Sequence, residues 1–351
     1  MSVRCVGFTQ GFACTALHSR PTADWAPNSV GAFTMTNCSI AWDDTPLEEW
    51  FKLFASVRRS TLSQYFPYAQ ATRVVDQMGA RRGLISIDGK PCGLVQMGEV
   101  GLLGNAIHML TVDRGPLWFG DVEPVQASLA FFHELSRQFP RRFGRKKRII
   151  PELDERIASG AVLSASGLKR NEELPAYETI WLNLEPDEDA LRAKLNGKWR
   201  NQLSKAERSP LEVQEDWVLA SRNNFLARYE ADRNAKGYAG ANPAFLDSLM
   251  DFQLVRDEAF ILNAKLDGKT VAAVLVFLHG KSATYQAGWT LEDGRKNAAH
   301  HLLLWSAVRL LKAKGILDFD LGGTNDESAA GVKKFKSGLG GEIVRLAGLY
   351  N

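Results

Sequence analysis

Apolar positions change period repeatedly between residues 271 and 341. Residues 271–279 are a β-branched apolar run and 283–289 an alternating aromatic one, with Gly280-Lys281 between them as a tight hairpin turn. From 297 to 314 the spacing becomes helical. Leu304, Val308 and Leu311 share a face, Lys312 and Lys314 fall at the negative end of the helix dipole, and Gly315 offers a left-handed cap. Residues 316–321 alternate Leu317, Phe319 and Leu321 with Asp318 and Asp320, which predicts another strand, ended by Gly322-Gly323. A strand, a crossover helix and a second strand imply parallel pairing. Residues 333–341, KKFKSGLGG, read as a basic glycine-rich loop.

A similar order precedes this segment. Thr45 opens a helix with Glu48 and Glu49 in its early turns. Strands at 84–87 and 92–97 bracket Asp88-Gly89-Lys90, 123–139 is helical in spacing, and 148–150 suits a strand. Residues 178–184 then read as a strand, 188–208, 216–234 and 242–256 as helices, and strands at 260–266 and 271–279 bracket Asp267-Gly268-Lys269. The recurrence of Asp-Gly-Lys hints at internal duplication. Met35 directly precedes the first strand, at 38–42. Residues 1–34 lack periodicity over most of their length and read as a flexible extension; a weak secretory signal over 6–17 is interrupted by Thr9, Gln10 and Thr15. The expected organisation is two mixed α/β units, 36–165 and 175–351, each a mixed sheet flanked by helices.

Composition narrows the classes. At 351 residues, with 45% apolar and 24% charged residues, the chain suits two globular domains. A net charge of +3 does not announce nucleic-acid binding, although local clusters can still serve it. Cys5, Cys14, Cys38 and Cys92 show no metal-ligand pairing and no dense disulfide pattern, which suits a reducing cytoplasm. No apolar run approaches the ~20 residues that span a bilayer. His300 and His301 are adjacent and point to different helix faces, no Cys-x-x-Cys or His-x-x-x-His pattern occurs, and no catalytic metal is expected.

Several segments resemble a known family. Gly288-Trp289-Thr290, AHHLLLW at 299–305, FDLGG at 319–323 and FKSGLGG at 335–341 resemble the C-terminal domain of the Fem aminoacyltransferases, and equally the acetyltransferase-like proteins of the GNAT superfamily. KWRNQLSKAER at 198–208 resembles the basic helix opening the second domain of that family. Arg114-Gly115-Pro116 resembles its Arg-Gly-Pro turn, and Gln64 with Tyr68-Ala69 its Gln-aromatic entry motif. Each motif is short; their matching order over roughly 45–350 carries the weight. The resemblance implies tandem GNAT-like domains with the site in the second. The implied reaction transfers an acyl or aminoacyl group from acyl-CoA or aminoacyl-tRNA to a small-molecule or carrier-linked amine, with no tightly bound cofactor. It also implies that Phe335 and Lys336 contact the transferred acyl group or its carrier phosphates, that Tyr285 contacts the acceptor, and that Arg233 and Tyr238 hold the acceptor's phosphate.

The residues themselves support a parallel reading. Acyl transfer to nitrogen needs a neutral amine, donors facing the developing oxyanion and a cradle for a phosphate-rich handle. Lys336 is the candidate cation, and Gly338, Gly340 and Gly341 would let backbone amides approach a ligand; a solvated lysine-rich turn is the alternative. Tyr285 and Trp289, with Ala287 between them, are expected to share a strand face and line one cleft, or else to pack in a core. Arg114 is a further candidate for binding substrate. Lys198, Arg200, Lys205 and Arg208 beside Trp199 could track tRNA or a pyrophosphate carrier, or remain solvated. Six positive charges in eight positions, 141–148, could dock an RNA acceptor stem or form a solvated connector. Asp318 and Asp320 could act as a base or bind nearby backbone amides. The turn before the central helix, EDGRKNAA at 292–299, places Asn297 and Ala299 at the small positions of a pyrophosphate-binding loop. Its spacing departs from the acyl-CoA pattern, so aminoacyl-tRNA stays open as donor. The alternative to an enzyme is a non-catalytic module of the same fold that binds RNA or a phosphorylated partner.

Overall fold

The computed structural model describes residues 37–157, 163–164, 166–216, 219–238, 240–324 and 330–351; the extension expected over 1–34 lies outside the described residues. Strands β1 (Cys38–Trp42), β2 (Gly79–Ile87), β3 (Lys90–Leu102) and β4 (Ile107–Gly115) pair antiparallel in chain order. A short β5 (Leu117–Trp118) pairs with β3, and β6 (Arg145–Pro151) adds parallel to β4. Helices α1 (Leu47–Ser56) and α2 (Phe66–Asp76) precede β2, and α3 (Pro124–Gln138) makes the crossover to β6. The second sheet repeats this plan. Strand β8 (Glu212–Glu215) is followed by α6 (Leu219–Lys236) and α7 (Pro243–Leu254), then by antiparallel β9 (Ala259–Leu266), β10 (Lys269–His279) and β11 (Ser282–Thr290). Helices α8 (Glu292–Lys296) and α9 (Ala299–Ala313) then cross over to β12 (Asp318–Asp320), which is parallel to β11.

Two strands are extra to the repeat. Strand β7 (Glu178–Asn183) lies between β12 and β13 (Glu342–Arg345), antiparallel to both. The Asp-Gly-Lys turns occupy equivalent places, between β2 and β3 and between β9 and β10. Both central residues are left-handed in each, with φ of 48° and 77° at Asp88-Gly89 and 50° and 73° at Asp267-Gly268, the geometry that favours Asp-Gly in two-residue hairpins.

Three expectations are corrected. The single helix expected over 188–208 is two, α4 (Glu188–Lys194) and α5 (Gly197–Glu207), because Asn196 restarts it: its Oδ1 accepts from the Lys198 amide at 3.0 Å. The basic loop at 333–341 is mostly helix, α10 (Ala330–Ser337); neither Gly nor Pro interrupts 332–337, and Lys334 and Lys336 suit the helix's negative end. The last residues, expected with the second unit, return to the first sheet. Tyr350 bridges Ile149 and Arg170 and is fully buried in the core that also holds Phe131 and Ile149.

The two sheets share one compact unit, Thr36–Asn351. Leu62 and Ala71 of the first half join Phe245, Leu249, Ala273 and Leu275 of the second in one apolar cluster. Polar links reinforce it. The Ser60 amide donates to Ser282 Oγ at 3.0 Å, Ser60 Oγ to the His279 carbonyl at 2.6 Å, and Tyr65 Oη to Glu258 at 2.7 Å.

The deepest link is Arg114, at the end of β4. It adopts a left-handed φ of 53° and is 8% exposed. Its Nε and Nη2 donate to Glu152, each at 2.8 Å, while Nη1 donates to Asp320 of the second sheet. Its guanidinium lies 5.1 Å from the Tyr177 ring centroid and 5.6 Å from that of Trp181. Arg114 is therefore a tie between sheets, and the expectation that it contacts substrate is corrected: two carboxylates and two rings enclose it. Arg114→Met should cost about 3–5 kcal/mol in denaturant-induced unfolding, because it strands two buried carboxylates; an unchanged midpoint would mean the tie is dispensable.

Candidate active site

The second sheet opens beside β12. Parallel pairing of β11 with β12 covers only Ser282–Thr284 against Asp318–Asp320, whereas β11 runs on to Thr290. From Tyr285 onward its β12-facing edge has no strand partner among the described residues. On the other side, β11 pairs with β10 through a bulge: Leu275 faces Ala287, Val276 faces Tyr285, and Gln286 is the extra residue.

The bulge inverts side-chain parity. Ala287 and Trp289 lie in the cluster formed with α6 and α7, while Tyr285 packs on the opposite face, against the cluster that holds α5 and α9. The expectation that Tyr285 and Trp289 share a cleft is thereby corrected; Trp289 is 2% exposed and belongs to the core. A sequence with strict alternation gives no sign of one added residue.

Around the opening, two chain segments converge on Lys336, the end of β12 with its turn and Tyr285 of β11. Burial of Asp320 pushes its carboxyl up, but the charge of Arg114, the hydroxyl of Thr179, the bond from Arg114 and the Gly322 amide at 2.8 Å outweigh it and hold it below the usual range. Asp320 is thus a fully engaged carboxylate at the strand end rather than an idle base. Beyond it, Gly322 is left-handed, with φ of 74°, and a Cβ there would stand 3.0 Å from the Tyr285 carbonyl oxygen and 3.6 Å from Lys336 Nζ. Only glycine suits this position. Lys336 Nζ donates to the Gly323 carbonyl at 2.9 Å and lies 5.6 Å from the Tyr285 ring centroid. The lysine is 7% exposed. Burial pulls its ammonium down from 10.5 to about 8, partly opposed by Asp320.

Tyr285 Oη lies 3.3 Å from His300 Nε2. Burial holds the phenol well above its usual range, with Tyr238, Tyr229 and Asp232 adding to the shift. Burial, then His301 and Lys236, drives His300 down to about 4, so its imidazole is neutral. Its Nδ1 is buried without a hydrogen-bond partner among the described residues. Tyr238, Arg233 and Asp232 are contributed by the end of α6 and the residues after it. Arg233 Nη1 donates to the Ala241 carbonyl at 3.0 Å, and the Tyr238 hydroxyl reaches Asp232 at 3.5 Å. The structure thus brings Tyr238 and Tyr285 into one neighbourhood. Sequence reading missed His300 as a partner of Tyr285, and Tyr229 and Asp232 altogether; no local pattern marks them.

A second space adjoins Phe335, on the residue preceding Lys336. A cavity of about 320 Å³ lies between α5, the start of α9 and α10, lined by Asn196, Lys198, Trp199, Gln202, His301, Lys334, Phe335 and Gly338 among others. Phe335 meets His301 edge-on at 4.9 Å, and Trp199 stands 4.8 Å from His301. Gly338 lets α10 close on Trp199, where a Cβ would come within 2.6 Å of the indole.

Other expected ligand contacts fall elsewhere. Arg200 Nη2 donates to the Leu195 carbonyl at 3.1 Å and so ties the end of α4. Gly340, with φ of 80°, leaves only 2.5 Å between a hypothetical Cβ and the Lys194 carbonyl, so its glycine is explained by the close approach of α4. Asn297 Nδ2 donates to the Asp293 carbonyl at 2.9 Å and closes α8. Lys333 pairs with Glu178 at 2.6 Å, outside the group around Lys336.

Comparison with known proteins agrees with this geometry. Residues 193–337 match the family model described as an acetyltransferase (GNAT) domain. FemX is similar in structure, with a TM-score of 0.74 at 14% identity over 88% of this chain and 96% of its own. The C-terminal domain of a putative lysylphosphatidylglycerol synthetase from Agrobacterium fabrum gives 0.53 at 15% identity, over 86% of this chain and 90% of its own. L-PGS from Bacillus licheniformis gives 0.51 at 14%, over 87% and 91%. No curated protein sequence matches the chain. At these identities the likeness is one of fold: two mixed α/β units, the second of which carries the residues matched by the GNAT domain model.

The buried ammonium has a thermodynamic signature. Since the folded pKa of Lys336 lies below its unfolded value, the unfolded chain binds more protons between them, and stability rises with pH over that window. Relative to Lys336→Met, wild type should therefore gain stability from about pH 8 to pH 10.5, by on the order of 3 kcal/mol, and show a constant difference below pH 8. A flat difference in urea titrations across that range would contradict the burial of this charge.

Proposed function

We propose, from a chain whose residues 193–337 match a GNAT acetyltransferase domain, that the protein is an N-acyltransferase forming an amide at the opening between β11 and β12. The observation that carries this reading is Lys336: a nearly buried ammonium poised beside an unpaired strand edge, with Tyr285 beneath it. A carbonyl laid along that edge would develop negative charge within reach of a preorganised cation, where low local polarity strengthens the interaction. The acceptor nitrogen, in its neutral form, forms a bond to the carbonyl carbon, the bond to the donor's sulfur or oxygen breaks, and the proton shed by the nitrogen replaces the one that Lys336 gives to the leaving atom. With a pKa near 8, Lys336 can stabilise the oxyanion and return a proton to the leaving atom.

The donor side is the cavity beside Phe335. Coenzyme A thioesters and the 3′ end of aminoacyl-tRNA share an adenine nucleotide, a flat ring joined to phosphate. Trp199, His301 and Phe335 offer stacking surfaces, and Lys198 and Lys334 offer charge. The two donors separate experimentally, by the rise in melting temperature with acyl-CoAs or with aminoacyl-tRNAs. The acceptor side is the group formed by Tyr238, Arg233 and Asp232 beside Tyr285. Asp232 is paired with Lys236 at 2.8 Å and fixes the end of α6, and Arg233 offers charge to a phosphate on the acceptor's carrier.

Lys336→Met should lower turnover by a hundred- to thousandfold, about 3–4 kcal/mol of transition-state stabilisation, with the fold retained. Lys333→Met should stay near wild type, because that side chain is about half exposed and pairs with Glu178 rather than with the Gly323 carbonyl or Tyr285. Equal rates for wild type and Lys336→Met, measured as amide product by mass spectrometry, would reject the assignment. So would the absence of any product or melting shift with both donor classes, the outcome a non-catalytic module would give.

A further inference from the structure

The opposite end of β4 presents a different surface. Leu102, Leu103, Ile107, Met109 and Phe143 are exposed at 57%, 83%, 55%, 39% and 101%. They are contiguous. Leu102 pairs with Ile107 across the β3–β4 hairpin, and Val100 pairs with Met109 on the same face. The loop carrying Phe143 docks on the hairpin turn: Arg142 Nη1 donates to the Ala106 carbonyl at 3.3 Å, Nη2 donates to the Asn105 carbonyl, and Gly144 lies so close that a Cβ would stand 2.1 Å from the Ala106 oxygen. The turn itself is strained in a telling way. Leu103 is left-handed, with φ of 52°, between Leu102 and Gly104, a conformation that costs a non-glycine residue roughly 1 kcal/mol or more. That strain holds a large apolar side chain outward.

Positive charge dominates this tip, and the nearby Glu99 is engaged by His108 at 2.7 Å. Arg141, Arg142, Lys146 and Arg148 are exposed and Arg145 is half-buried. Lys146 pairs with Met109 across the ladder, so a cation and an exposed apolar side chain share one face. No Asp or Glu occurs in 100–112 or 139–151.

We propose that this tip docks the protein on an anionic lipid bilayer, with Leu102, Leu103 and Phe143 entering the headgroup boundary and Arg141, Lys146 and Arg148 contacting lipid phosphates. Amphipathic surfaces of this kind insert about 5–10 Å, and each cation near an anionic membrane adds a comparable electrostatic share. The chemistry favours this occupant over two others. An RNA backbone would use the cations and leave four aliphatic side chains in water. A second copy of the chain would set like charges against each other. Membrane docking here needs no spanning segment, and no described helix is long and apolar enough to be one. Arg114, at the far end of β4, lies roughly 23 Å along the strand from Ile107, so the surface and the acyl-transfer site are separable.

The test is co-sedimentation of the full chain with vesicles of equimolar phosphatidylcholine and phosphatidylglycerol. Wild type should pellet with these at low salt, stay in solution with pure phosphatidylcholine, and be released as salt screens the charges. The double variant Leu103→Asp, Phe143→Asp and the double variant Arg141→Glu, Lys146→Glu should each bind the anionic vesicles about tenfold or more weakly, at unchanged melting temperature. Because these positions are exposed and remote, failure of acyl transfer would leave this result intact, and the converse holds. No binding to the anionic vesicles, binding equal to wild type in the aspartate variant, or tighter binding to an RNA hairpin than to vesicles would each overturn the proposal.

Discussion

One buried carboxylate organises the candidate site. Asp320 ends the short strand β12 inside the protein, where an unpaired charge would cost several kcal/mol, so its surroundings must supply donors from several directions. Arg114 reaches it from the first sheet, Thr179 from β7, and the Gly322 amide from its own turn. Satisfying one group thus ties the two sheets together, stops β12 after three residues, and fixes the glycine turn whose Gly323 carbonyl receives Lys336. Glu152 shares the same guanidinium, and burial pushes its carboxyl upward even beside Arg114. One cation between two acids leaves them unequal, and Asp320, with more hydrogen bonds, is the one held down.

The opening follows from that short strand. A parallel partner of three residues cannot cover the nine of β11, so the sheet parts where Asp320 turns away. The extra residue at Gln286 bends the same stretch and sends Tyr285 to one face and Trp289 to the other. A single insertion in register therefore assigns one aromatic residue to the site and the other to the core. Helix α10 then lays Lys336 over the gap, with Phe335 directed to the neighbouring cavity, so adjacent side chains serve two spaces.

Burial of Lys336 carries a cost in stability. Removing the ammonium from water disfavours its charged form, and the retained Asp320 charge offsets only part of that cost. Beside it, His300 and Tyr285 are both held neutral over the physiological range, so Asp320 is the charge that partly offsets the buried ammonium.

Local sequence determined a great deal here. The helix and strand periods, the two Asp-Gly turns and the crossover order were all legible, because each rests on residues near one another in the chain: apolar spacing and turn chemistry. The restart at Asn196 and the helical state of 330–337 were missed although the cap and the absence of breakers are written in the sequence. What only the tertiary structure decided has a common physical origin in contacts between distant segments. Arg114 meets Asp320 across 206 positions, and the energy of that pair depends on the burial both halves create together, which the Arg-Gly-Pro motif by itself does not reveal. The fate of Trp289 depended on a ladder register shared with β10, and that of Gly340 on the backbone of Lys194. Periodicity reports which face a residue takes within its own element; where that face is turned is set by partners that the same stretch of sequence does not contain.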